Sequence, residues 1–433
     1  MVIGPWALAL GPLGLWPFGP SPLKFDSSAR GLSPVPHILQ MASVSDDVPA
    51  VPEVAVINSF DEMDLPENLL RGIYSYGFER PSAIQARAIK PMRDGRDTLA
   101  QAQSGTGKTG AFVIGSLSHL DETVKKPQVL VLVHVRELAQ QIAKVATSLG
   151  AVMKVKVLCA VGGNSLRDDI RALEDGAQFV VGTPGRVFDL MHRGALERSH
   201  MRVLIMDEAD QMLEDLFYKQ VMCILEKGFP ADMKVALFSA TMPEKVVEVA
   251  NKILNDPVRI LIPPTAVRLE GIQQFFINLD REDHKFDCIC DLYKHLNITQ
   301  AVIFCNKRQK AEMIAEKMSA QGFPITCLHG ELDKSERTRR MDDFIKGKSR
   351  VMIATDIIAR GIDVQQISLV INYELPTNTE NYVHRIGRAG RYGRKGTTIN
   401  LLLPEESSQM EEISELYGMK LELFPEDTSS LAM

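Results

Sequence analysis

Residues 102–109 read Ala-Gln-Ser-Gly-Thr-Gly-Lys-Thr, and residues 207–210 read Asp-Glu-Ala-Asp directly after the apolar run Val203-Leu204-Ile205-Met206. In the first stretch Gly105 and Gly107 let a backbone pass close to phosphate oxygens. Ser104 and Thr106 complete the loop, Lys108 brings a cation to the terminal phosphates, and the Thr109 hydroxyl suits Mg2+. In the second, Asp207 is placed to hold that metal through water, and Glu208 to orient or deprotonate an attacking water. The combined chemistry is cleavage of a nucleoside triphosphate. Ala102 stands where the generic loop pattern has Gly, so the match rests on its surroundings. A Gly-rich surface turn and a solvated acidic turn are the plainer readings, and neither explains acids abutting a buried strand.

Such groups need a rigid bed, and the chain supplies one. From about Phe60, short apolar runs alternate with amphipathic stretches. Asp97–Ala100, Val129–Val135, Val155–Ala160, Phe179–Gly182, Val203–Met206 and Val235–Phe238 are expected strands, and Lys108–Leu117 an expected helix. After Pro263-Pro264 the pattern restarts. Strands are expected at Gln274–Leu279, Ala301–Phe304, Ile325–Leu328, Val351–Ala354, Leu369–Ile371 and Thr397–Leu403, with helices such as Lys307–Ala320 and Lys334–Gly347. The alternation predicts α/β parallel sheets covered by helices, in two domains. The expected division is a flexible segment at 41–59, a first domain at 60–262, a linker at 263–271, a second domain at 272–425 and a tail at 426–433. Only the first domain carries a phosphate loop, so the nucleotide is expected in the cleft between the two.

Composition sets limits. The 433 residues are 45% hydrophobic and 24% charged, with a formal charge of −6. That argues against coating nucleic acid through bulk charge, though a local basic groove remains open. Six cysteines include no CxxC pair, and buried reduced thiols are expected. No breaker-free run of ~18 apolar residues appears, so no membrane span is expected. Residues 1–40 carry seven prolines and five glycines. They fit neither a secretory signal nor a transit peptide. They are expected to be a disordered tail or a mis-assigned start, with Met41 opening the protein.

Several segments together resemble the DEAD-box RNA helicases. They are Gly77-Phe78-Glu79-Arg80-Pro81-Ser82-Ala83-Ile84-Gln85, the phosphate loop, Asp207–Asp210, Ser239-Ala240-Thr241 and His384-Arg385-Ile386-Gly387-Arg388-Ala389-Gly390-Arg391. The resemblance runs from about Phe60 to about Tyr417 and is most specific to the translation-initiation branch, through 70–84, 298–304 and 359–372. It implies two RecA-like domains in tandem with an interdomain nucleotide cleft, ATP and Mg2+ as cofactors, and RNA-dependent ATP hydrolysis. Gln85 then reads the adenine edge, and Arg80 is a further nucleotide-binding residue. Phe60, seventeen residues before Gly77, stacks on the base; taken alone it reads as a core or linker residue. Asp363 binds the ribose. Arg388 and Arg391 reach the γ-phosphate from the second domain. Asp210, Ser239, Thr241 and His384 couple the domains. Arg136, Gly163, Thr183 and Arg186 on one side, with Arg308, Arg337 and Thr355 on the other, meet RNA phosphates and sugars without reading sequence. The implied setting is a cytoplasmic, or also nuclear, monomer partnered by the scaffold subunit of the cap-binding complex.

The chain departs from the family where Pro-Thr-Arg-Glu-Leu is usual. It has His134-Val135-Arg136-Glu137-Leu138, which removes a hydroxyl. Glu214-Asp215-Leu216-Phe217 lacks the usual Arg-Gly-Phe, and Lys334 replaces a usual Gln. The hydrolytic set is intact while the RNA face is altered. The leading expectation is an unwinding clamp in translation initiation. The alternatives are a weakly turning-over clamp of the exon-junction type and, with less support, a DNA-directed motor.

Overall fold

Val129-Leu130-Val131-Leu132 is fully buried, and it shows how the sequence builds its sheets. Val129 and Val131 join a core with Phe112 and Phe179, while Leu130 and Leu132 join another with Leu204 and Leu237. Alternate side chains thus feed opposite layers, which requires helices on both faces of a parallel sheet. The second half repeats the device, with Ala301 and Ile303 in one core and Val302 and Phe304 in the other.

The computed structural model describes residues 55–103, 105–213, 215–261, 272–296, 298–356, 367–389 and 396–425, with backbone alone at 215–216. All lie within one compact unit, Val51–Met433. The expectations for 1–40, for the linker, for the tail, for most of 41–59, and for Ser104, Asp363 and Arg391 fall outside the described residues.

The first sheet comprises β1 (Thr98–Gln101), β2 (Val129–Leu132), β3 (Val157–Ala160), β4 (Phe179–Gly182), β5 (Val203–Asp207), β6 (Lys234–Ser239) and β7 (Val258–Ile260). The second comprises β8 (Ile272–Asn278), β9 (Ala301–Phe304), β10 (Ile325–Leu328), β11 (Val351–Ala354), β12 (Leu369–Asn372), β13 (Gly396–Leu402) and β14 (Glu422–Leu423). Their orders are β3-β4-β2-β5-β6-β1-β7 and β10-β11-β9-β12-β13-β8-β14. These are one permutation used twice, and every pair is parallel.

Several bounds shift by one or two residues, β3 beginning at Val157 rather than Val155 and β8 at Ile272 rather than Gln274, and two differences are larger. β2 stops at Leu132 rather than Val135, because Val135 becomes the extended N-cap of the Arg136–Leu149 helix. β7 and β14 pass unnoticed in the sequence, being edge strands of three and two residues, too short for any periodic signal.

The order sets the site. β5, β6 and β1 are neighbours, with Asp207 opposite Phe238 and Gln101 opposite Ser239. The phosphate loop therefore leaves β1 beside the strands that end in the acid and in Ser239.

Candidate active site

The loop between β1 and the Lys108–Leu117 helix turns on two glycines with positive φ, 81° at Gly105 and 101° at Gly107. An L-side chain is disfavoured in that region. At Gly107 a Cβ would also stand 2.7 Å from Ser82 Oγ and 2.8 Å from Gln85 Nε2. Gln85 is buried under the loop, where Nε2 donates to the Gly107 carbonyl (3.2 Å) and Oε1 accepts from the Ser82 N–H (2.9 Å). Its amide thereby fixes the loop's shape. Thr106 Oγ1 ties the loop back to the Gln103 carbonyl at 2.7 Å. Thr109 lies in the first turn of the following helix, and Arg80 is exposed.

Phe60 requires a correction. It is 0% exposed, sealed in the core by Tyr74 and by Phe78, whose ring lies 6.4 Å away at 19°. The short 3-10 turn Phe60–Met63, capped by the Ser59 hydroxyl, turns it inward. Phe78 is the half-buried ring beside the loop, and a Cβ at Gly110 would meet it at 3.1 Å. Sequence spacing pointed to Phe60; the Gly77-Phe78 pair was the signal for the ring at the site.

At the end of β5, Asp207 Oδ1 accepts the Glu208 N–H at 3.0 Å. Glu208 is left-handed (φ 51°, ψ 54°), a strained state for a non-glycine residue. Its carboxylate stands 3.7 Å from Lys108 Nζ, with both side chains buried. Lys108 Nζ, Glu208 Oε2 and His384 Nδ1 are buried without hydrogen-bond partners. Orphaned polar atoms of this kind mark where a polar group belongs. Burial pushes the Asp207 carboxyl up to about 7, against the opposing pull of Lys108. For Glu208 burial also acts upward, but Lys108 and then His384 outweigh it, and the carboxyl lies below its ordinary value.

Asp210 joins the lobes. It accepts from Ser239 Oγ, from Thr241 Oγ1 (3.1 Å) and, from the second lobe, from His384 Nε2 (2.7 Å). The donating Nε2–H leaves Nδ1 facing Glu208 Oε2 at 3.8 Å. Glu208, Asp210 and His384 are the metal-ligand type cluster among the described residues, with donor atoms within 4.8 Å of one another. Two of its members already bond each other, so it reads as a latch. Arg388 is buried and donates to the His384 carbonyl at 3.0 Å; its charge adds to those favouring ionised Glu208. Arg385, within the quoted motif but without an expected role, is buried and bonds Asp356, Asn306 and the Glu374 carbonyl. It fixes the helix that presents His384 and that leads through Gly387 into Arg388.

The expected RNA residues form two groups. Arg136 donates to the Gly162 carbonyl at 2.8 Å, and Arg186 to the Asn164 carbonyl at 2.8 Å, so the 162–164 loop holds both beside Gly163. Arg186 is also ion-paired with Asp169. Thr183 is the extended N-cap of the Pro184–His192 helix. On the second lobe Arg308 pairs with Glu331 and Arg337 donates to the Gly330 carbonyl, so these two flank one loop. Arg337 also approaches Glu137 of the first lobe at 3.8 Å. Thr355 is buried after β11, with its N–H on the Leu328 carbonyl at 3.3 Å. The His134 ring lies 6.5 Å from that of Phe217, edge to face.

Among the described residues no helix is long and apolar enough to cross a membrane. The family model described as DEAD/DEAH box helicase matches residues 82–249, and that described as Helicase conserved C-terminal domain matches residues 284–393. The chain is similar to eukaryotic initiation factor 4A of Caenorhabditis elegans, 51% identical over 376 residues, which is 87% of this chain and 93% of that one. It is similar to Saccharomyces cerevisiae Dbp5 bound to RNA and ADP BeF3, with a TM-score of 0.80 and 34% identity over 85% of this chain and 96% of that chain. A Dbp5 variant bound to Nup159, a Gle1 variant, IP6 and ADP gives a TM-score of 0.60 at 32% identity, over 85% of this chain and 97% of that chain.

Proposed function

Because this chain belongs to the DEAD-box ATP-dependent RNA helicases of the eIF4A type, and is an RNA-dependent ATPase, we propose that it acts as a closing clamp that locally unwinds RNA in translation initiation. Residues 60–262 form the ATP-binding lobe and 272–425 the lobe that closes on it. The observation that carries the reading is the Asp210–His384 bond beside orphaned Lys108 and Glu208. The similarity to Dbp5 bound to RNA and ADP BeF3, with a TM-score of 0.80, supports RNA and a nucleotide as the ligands of the paired lobes.

In this reading the glycine loop and Lys108 hold the triphosphate at a helix N-terminus. Gln85 keeps the loop in shape, and Phe78 faces the base. Glu208 orients the attacking water and takes its proton as oxygen bonds to the γ-phosphorus and the bond to the bridging oxygen breaks, releasing ADP and phosphate. Arg388, with Arg391, spreads the developing charge. Asp363 meets the ribose.

A buried Asp207 whose carboxyl is pushed up to about 7 fits a cation seat, and Thr109 lies in the adjoining helix turn. These two residues would hold Mg2+, which supplies neutralisation of phosphate charge when bound.

RNA lies across both lobes on Arg136, Gly163, Thr183 and Arg186 and on Arg308, Arg337 and Thr355, without sequence preference. The chain acts as a monomer in the cytoplasm with the cap-complex scaffold as partner. A slow-turnover clamp of the exon-junction type is the second reading. It is favoured by Val135, which leaves the helix after it without a side-chain cap beside Arg136.

Steady-state ATPase with and without RNA tests the reading, alongside Arg388→Lys. RNA should stimulate turnover, and the substitution should lower it by about 10³–10⁵, as for related planar cations. Turnover indifferent to RNA, or an Arg388→Lys rate equal to wild type, overturns the clamp.

A further inference from the structure

Arg136 and Lys334 open the Arg136–Leu149 and Lys334–Ile345 helices of opposite lobes. The first turns of these helices meet where Arg337 approaches Glu137 at 3.8 Å. Gly163 is wedged between the two cations. A Cβ built on it would stand 2.6 Å from Arg136 Nη1, 2.6 Å from Lys334 Cδ and 2.8 Å from Lys334 Nζ. Guanidinium and ammonium are therefore under ~6 Å apart, a separation at which like charges repel unless an anion lies between them.

No such anion comes from the described residues. Arg136 has only neutral acceptors, the Gly162 carbonyl and, at 3.4 Å, the Asn164 amide oxygen. The Lys334 side chain is exposed and makes no hydrogen bond or ion pair with any described residue. The nearby carboxylate of Glu137 faces Arg337. Lobe closure thus brings together three cations and one acid. The other cations on this face, Arg186 and Arg308, lie on separate helices and are already held, Arg186 by the Asn164 carbonyl and Asp169 and Arg308 by Glu331. Cations spaced in this way suit the repeated charges of a phosphodiester backbone better than a single carboxylate.

We propose that Arg136 and Lys334 form a phosphate seat shared by the two lobes. A backbone phosphate of the bound strand neutralises a pair of charges that otherwise opposes closure. The seat rests on the clamp reading and deepens it, because it makes the strand's own charge the condition for closing. Lys334 is a binding residue on the lobe that closes, while Arg136 holds the same phosphate from the other side.

The test uses the full chain, an oligouridylate strand and a non-hydrolysable ATP analogue, with binding followed against salt. Each phosphate contact on a single strand contributes ~0.7 to the slope of log affinity against log salt, so Lys334→Gln should reduce the slope by about that amount. Lys334→Glu should weaken RNA binding yet raise RNA-free ATP turnover severalfold, because a carboxylate facing Arg136 closes the lobes without a strand. Lys334 is exposed, and thermal unfolding of each variant should match wild type. If RNA stimulates the wild type but both variants keep its salt slope and its RNA-free turnover, the seat is overturned and the clamp stands. If RNA does not stimulate the wild type, the clamp falls and the seat with it.

Discussion

His384 Nε2 of the second lobe lies 2.7 Å from Asp210 Oδ2 of the first, on a carboxylate that Ser239 and Thr241 already hold in place. The acid is fixed by its own lobe, so the histidine arrives at a prepared acceptor. A hydrogen bond to a charged group is worth about 1.5–3 kcal/mol. His384→Ala should therefore lower RNA-stimulated turnover by about 10–100-fold while ATP still binds the first lobe. Fluorescent-nucleotide binding beside steady-state rates checks this, and an equal loss in both would remove His384 from coupling.

Glu208→Gln keeps the shape of the side chain but removes the base. Turnover should drop by about 10²–10⁴, the usual contribution of a positioned general base. ATP and RNA should remain bound together, as seen by filter retention of labelled RNA. Wild-type hydrolysis in this variant would reassign the base.

The buried Asp207 carboxyl gives a pH signature. Its value in the folded, nucleotide-free protein is about 7, against 3.8 ordinarily. The unfolded chain therefore releases this proton first as pH rises, and stability erodes between those two values. Above about pH 7 the full cost of a buried carboxylate is present. Asp207→Asn should raise the Tm of nucleotide-free protein at pH 8, by ~2–4 °C per kcal/mol relieved. The gain should shrink toward pH 5. A Tm difference independent of pH would count against the burial effect.

Val135 occupies an extended N-cap with no side-chain bond to the helix it starts. Val135→Thr is nearly isosteric and restores an acceptor, so it should stabilise the protein by about 0.5–2 kcal/mol. Denaturant unfolding reads this directly, and no gain would mean that the cap geometry is not reachable.

The rings at the loop separate burial from contact. Phe60→Leu should cost on the order of 1–3 kcal/mol of stability, short of the ~3–5 kcal/mol of a Phe→Ala truncation, and leave the KM for ATP unchanged. Phe78→Ala should raise that KM. The reverse pattern would return the base-facing role to Phe60.

Much of this was legible in the chain itself. Ala301–Phe304, Ile325–Leu328 and Val351–Ala354 are strands over the residues that their apolar runs mark out, because strands covered on both faces need no polar alternation. The phosphate loop and the acids were readable because each motif is local. The fate of Phe60 was not, since its burial depends on Phe78 and Tyr74 folding over it. Nor was the Gln85 bond to Gly107, or the approach of Lys334 to Gly163, each of which joins residues far apart in sequence.

The doubled strand permutation fixes a stoichiometry. β8 holds in the second sheet the place that β1 holds in the first. The connection that follows it, Leu279-Asp280-Arg281, leads directly into a helix at Glu282 and contains no glycine. Lacking a backbone that can curl around oxygens, this mirror position cannot accept a second triphosphate. Titration calorimetry should count one nucleotide per polypeptide.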